Sequence, residues 1–101
     1  MRIILQIIFA FLILSSLVFP QKKVHIAYVD GEIDLGMAPY ISRVVSDAEK
    51  DNASAIIFKI NTFGGRLDAA TQIRDAIIDT KILTIAFIND RAISAGALIS
   101  L

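Results

Sequence analysis

Three short runs constrain this chain more than anything else in it: "VHIAYVD" (Val24 to Asp30), "SAIIFKI" (Ser54 to Ile60) and "KILTIAFIN" (Lys81 to Asn89). Each is rich in β-branched and aromatic residues and apolar on both faces, which predicts strands of a parallel sheet. The segments between them have a helical period. Pro39 suits a first helical turn, and Ile41, Val44, Val45 and Ala48 then fall along one face. In "GRLDAATQIRDAIIDT", Asp68, Thr71, Gln72, Asp75 and Asp79 occupy a narrow arc; the remaining surface is mostly apolar, so this helix is expected to be largely covered. Strands alternating with helices imply an α/β fold of right-handed βαβ units. A third helical stretch opens near Ser94, and Ala97, Leu98, Ile99 and Leu101 have nothing after them to pack against. Residues 24–101 therefore read as the front part of a longer domain, incomplete in this chain.

A different kind of segment precedes the first strand. "MRIILQIIFAFLILSSLVFPQKK" carries one charge at Arg2, then an apolar stretch to Phe19, then Pro20, Lys22 and Lys23. Residues 1–23 read as a secretory signal peptide or a membrane anchor, placing the rest on the extracytoplasmic side. Ile3 to Phe19 falls short of the ~20 residues of a comfortable span, and Ser15-Ser16 could serve cleavage. The flanking charges balance and do not orient it.

Charge and composition narrow the functional classes. Ten basic residues against ten acidic ones provide no excess to hold a phosphate backbone, so nucleic acid is not an expected partner. Without cysteine, thiol catalysis and all-cysteine metal sites are excluded. Asp30, Glu32 and Asp34 resemble a calcium loop only superficially, because Leu35 and Ile41 stand where Gly and Glu are required. No metal and no cofactor is expected.

In open α/β sheets, sites form beyond the carboxyl ends of the strands, which here means "DGEIDLGMA", "NTFGGR" and "NDRAISAGA". Gly64-Gly65 lies between a strand and a helix, where adjacent glycines can expose amide N–H groups beside the positive end of the helix. No nucleotide fingerprint accompanies it. Ser94 follows the third strand and an expected tight turn at Asn89-Asp90-Arg91, and opens a helix through "SAGA". Such a serine has two readings. It caps the helix, or, if the two loops adjoin, its hydroxyl attacks a carbonyl while the amides of Gly65 and Ala95 receive the oxyanion. Small residues at Ala95, Gly96 and Ala97 would then leave room for a substrate backbone.

The segments "GEID", "INTFGGRLDAATQIRDAI" and "INDRAISAGALIS" resemble the membrane-linked serine proteases of the NfeD type. These are relatives of the ClpP and signal-peptide-peptidase proteases within the crotonase-like fold. The resemblance spans Val24 to Leu101. It implies a ClpP/crotonase-like fold, Ser94 as nucleophile and Gly65 and Ala95 as oxyanion donors. It further implies apolar peptide or membrane-protein substrates, stomatin-like partners, membrane association and a homo-oligomer. Where the family commonly has Thr-Pro-Gly-Gly, this chain has Thr62-Phe63-Gly64-Gly65. Losing the proline relaxes the loop, and Phe63 adds an apolar wall; Phe63, Gly64 and Gly96 are the expected substrate-binding positions.

The family's general base resembles a lysine beyond Leu101. Within the chain, His25 lies at the start of the first strand, away from the loops, and Lys59 reads as a snorkelling strand lysine. Lys81 and Arg66 read as solvated charges, and Met37 as apolar packing. The expected activity is that of a Ser–Lys serine endopeptidase, this chain being inactive alone. Two alternatives stand beside it. A catalytically silent interaction module would use the same fold without the dyad; a crotonase-like acyl-CoA enzyme would use the paired amides without the serine, but conflicts with an exported leader.

Overall fold

The structure is a computed structural model that describes residues 1–16 and 21–101. Seven elements follow in order: α1 (Arg2–Ser16), β1 (Val24–Asp30), α2 (Met37–Lys50), β2 (Ala55–Thr62), α3 (Leu67–Asp79), β3 (Leu83–Ala92) and α4 (Ala95–Ser100). The expected end of the leader, Leu17 to Pro20, lies outside the described residues. Among the described residues, no helix is long and apolar enough to cross a membrane.

The strands form one sheet in the order β1-β2-β3, parallel throughout, as the alternating pattern predicts. Every second residue meets the helices: Ala27 and Val29 on β1, and Ile56, Phe58 and Ile60 on β2. Against them pack Ile41, Val45 and Ala48 of α2, Ala69, Ala70 and Ile73 of α3, and Ala95 and Ile99 of α4. Pro39 does sit in the first turn of α2. That turn is capped from outside, since Asp34 Oδ1 accepts the N–H groups of Gly36 at 3.1 Å and Met37 at 3.0 Å. The helix ends where Asn52 turns left-handed, φ 51°, a conformation asparagine tolerates.

Two expectations need correction. Leu67 and Ile78 of α3 are each 68% exposed, so that helix is covered along one stripe only. The sheet, apolar on both sides, has helices on one side; Ile26, Tyr28, Ile85 and Phe87 lie open on the other. Composition reports that a surface is apolar, while coverage depends on which elements reach it.

The third correction matters for the site. No tight turn occurs at Asn89-Asp90-Arg91, because β3 continues to Ala92. Ile60 pairs with Ile88 and Thr62 with Ala92, leaving those three residues opposite Asn61 alone. The extra length is absorbed as an irregularity of the ladder, which bends the strand next to the loops. Polar, turn-prone residues supply the local freedom for this, and pairing on either side keeps the segment in the sheet.

Candidate functional site

The parallel order puts the carboxyl ends of all three strands at one edge, and the loops there are joined by backbone. Ile33 forms an isolated bridge with Gly65: its N–H donates to the Gly64 carbonyl at 3.0 Å, and its carbonyl accepts the Arg66 N–H at 2.8 Å. The approach is close enough that a Cβ on Gly65 would meet the Ile33 backbone. With both neighbours engaged, the Gly65 N–H itself has no partner among the described residues.

Gly64 adjoins the third loop. A Cβ built on it would lie 2.9 Å from the Ser94 Cβ and 3.2 Å from the Ala95 nitrogen, and its φ is +109°. Only glycine fits such a position. The expected meeting of the two loops therefore occurs, through Gly64 against Ser94 and Ala95, with Gly65 the next residue along. Ala95 is the first residue of α4, so its N–H is also without an intrahelical acceptor.

Ser94 stands at the N-cap position of α4 yet makes no capping hydrogen bond. The helix start is closed by backbone instead, the Gly96 N–H donating to the Ile93 carbonyl at 2.9 Å. Ser94 has φ 57° and ψ −118°, a conformation that costs an L-residue on the order of 1–3 kcal/mol. Hydrolases of other folds use a strained serine between strand and helix to present Oγ at the tip of the turn. Capping does not explain this serine. An exposed serine that makes no cap, followed by an amide without an intrahelical acceptor and packed on the Gly–Gly loop, is an arrangement compatible with attack on a carbonyl.

Thr62 is the residue whose importance the sequence does not announce. It is 1% exposed, and its Oγ1 accepts the Gly64 N–H at 3.0 Å while donating to the Gly31 carbonyl. Its own carbonyl accepts the Ile93 N–H at 3.1 Å. Its methyl lies where a Cβ on Gly96 would be, 2.5 Å away. One side chain thus ties the first loop, the Gly–Gly loop and the start of α4 together. The available signal was a polar β-branched residue at the end of an apolar strand, which is also an ordinary strand ending.

The three expected substrate-binding positions separate. Phe63 is 70% exposed at the rim. Gly64 and Gly96 are buried, so their missing side chains serve close packing against Ser94 and Thr62 rather than open space. A groove of about 760 Å³ lies elsewhere, between α3, β3 and the end of α4, and does not include Ser94.

The charged groups stay peripheral. His25 Nε2 lies 3.0 Å from Asp51 Oδ2, at the opposite end of β1 from the loops. Lys59 Nζ sits 5.6 Å from the Tyr28 ring centroid on the helix-free face. Neither has a hydrogen bond to Ser94. Arg66 pairs with Asp68 at 2.8 Å, an exposed pair. The guanidinium, and then the Ala69 N–H, hold the Asp68 carboxyl down to about 2. No cluster of potential metal ligands occurs among the described residues.

The family described as NfeD1b, N-terminal domain, matches residues 23–101. The membrane protein NfeD1b of Bacillus subtilis is 37% identical over 81 residues, 80% of this chain and 18% of that protein. The membrane-bound protease PH1510 of Pyrococcus horikoshii is 35% identical over 104 residues, 100% of this chain and 24% of that protein. Among solved structures, a lysine-to-alanine mutant of the 1510-N membrane-bound stomatin-specific protease, in complex with a substrate peptide, superposes with a TM-score of 0.73 at 33% identity. The match covers 80% of this chain and 38% of that one. An asparagine-to-aspartate mutant of ClpP1 from Listeria monocytogenes gives 0.72 at 27% identity, covering 74% and 44%. The chain thus spans about a quarter or less of these curated relatives, and its fold is ClpP-like.

Proposed function

This chain belongs to the NfeD1b N-terminal domain family, and from that membership we propose that residues 24–101 carry the nucleophile and oxyanion pocket of a membrane-associated serine endopeptidase. The observation that carries the reading is Ser94: strained, exposed, making no cap, and packed against the Gly–Gly loop. In the proposed reaction its Oγ attacks a peptide carbonyl, and the resulting oxyanion accepts hydrogen bonds from the Gly65 and Ala95 amides. These are backbone donors held before the reaction, so stabilising the charge needs no reorganisation.

The attack requires a base to take the serine proton. No described side chain is hydrogen-bonded to the Ser94 hydroxyl, and a lysine outside this chain is the proposed partner; the chain alone is then inert toward peptides. Substrate and partner follow the relatives: apolar segments of membrane-associated, stomatin-like proteins, with residues 1–23 as the exported leader or anchor and a homo-oligomer as the assembly.

A fluorophosphonate probe applied to the full-length protein, the proposed lysine included, with and without Ser94→Ala tests the reading. Labelling is expected at Ser94 and nowhere else. The thermal midpoint should be nearly unchanged by the substitution, whereas a lost N-cap would cost about 1 kcal/mol. Equal labelling of both proteins, or none in either, would leave the silent interaction module as the function.

A further inference from the structure

Phe63, in the Gly–Gly loop, and Arg91, near the end of β3, come together close in the chain to the residues that meet at Ser94. Phe63 directly precedes Gly64, which touches Ser94, while Arg91 lies three residues before Ser94 in the irregular part of β3. The Arg91 guanidinium carbon stacks 4.3 Å from the Phe63 ring centroid. Arg91 Nη2 in turn donates to Asp90 Oδ2 at 2.7 Å. The guanidinium is therefore bonded to a carboxylate and sits over the ring at the same time.

We propose that Arg91 is a positioning residue for substrate selection: it pins the Phe63 ring as one wall of the cleft, so that the ring's free face receives an aromatic side chain next to the scissile bond. The proposal rests on the reading of Ser94 as the nucleophile. Three observations support it. Phe63 is 70% exposed, so most of its ring surface is accessible to a ligand. A stacked cation is the contact that orders an exposed ring while leaving its opposite face free. The irregularity in β3 is what carries Arg91 to the ring, since regular pairing would leave Asn61 opposite one residue, not three. Asp90 neutralises the guanidinium, so the rim selects for ring stacking rather than for an acidic substrate. An offset aromatic pair fits that demand.

Peptide binding to the whole protein, followed by fluorescence anisotropy, tests the proposal without requiring turnover. The probes are two fluorescein-labelled apolar decapeptides that differ only by Phe or Ala at the central position. The Phe peptide is expected to bind more tightly, and Arg91→Gln to weaken it about three- to tenfold while changing the Ala peptide less than about twofold. Arg91→Lys should restore part of the difference. In a Phe63→Ala background, Arg91→Gln should have no further effect, because the arginine acts through the ring. A substitution that weakens both peptides alike, an Arg91 effect that survives Phe63→Ala, or a protein that binds neither peptide would overturn the proposal. Fluorophosphonate labelling of the same variants separates the two readings: labelling without discrimination removes the role of the pair and keeps the nucleophile. Discrimination without labelling does the reverse.

Discussion

The Cα of Gly64 is packed so closely on Ser94 that a Cβ between them would lie 2.9 Å from the serine Cβ. This contact joins the Gly–Gly loop to the start of α4, and it makes Gly64→Ala a direct probe of the site. The new methyl would meet Ser94 and the Ile93 carbonyl, and alanine would be strained at φ +109°. The expected cost is roughly 1–3 kcal/mol in stability. Labelling of Ser94 should fall by about 10²-fold or more, the scale of losing one oxyanion donor. A variant that labels at the parent rate would show that the contact does not set the geometry.

Thr62 offers a cleaner separation of hydrogen bonding from shape. In Thr62→Val the methyl facing Gly96 remains, but the buried Gly64 N–H loses its acceptor, at about 1–3 kcal/mol, and the more exposed Gly31 carbonyl loses its donor. In Thr62→Ser the hydroxyl stays and one buried methyl is lost, at roughly 1 kcal/mol. Valine should therefore reduce labelling of Ser94 more than serine does, even where the two melt alike. Amide exchange at Gly64, read by NMR, should rise in valine alone; equal exchange in both variants would mean that the hydroxyl does not hold the loop.

Asp68 opens α3, the helix that follows the Gly–Gly loop, and its carboxyl is held down to about 2 from an ordinary value of 3.8 by Arg66 and by the Ala69 N–H. The sign follows from the depression. The contribution is complete above the ordinary value and is lost as the pH falls through about 2. NMR titration should place the Asp68 midpoint near 2, and Arg66→Gln should move it upward, though not fully, because the Ala69 bond remains. A midpoint at the ordinary carboxylate value in the parent chain would refute the assignment.

Much of this was legible in the residues, for reasons that differ between elements. β1 falls where its short apolar run predicts, because a run of branched side chains between polar ends has few other ways to be buried. The Gly64-Gly65 turn was readable because glycines between a strand and a helix mark a backbone that other residues resist. The two readings of Ser94 could not be separated in sequence, since capping and attack both ask for a small hydroxyl at a helix start. Tertiary structure supplied what the sequence could not, an absent capping bond and a strained φ at a serine whose neighbour Ile93 is tied to the Thr62 carbonyl of β2, and these support the proposed attack over capping. Likewise, the continuation of β3 through Asn89 to Arg91 reflects pairing with Thr62, which local propensity cannot know. Local chemistry determined the elements and the candidate residues. Contacts between strands far apart in sequence decided which backbone was strained, which amides were left unpaired, and which aromatic ring stood at the rim.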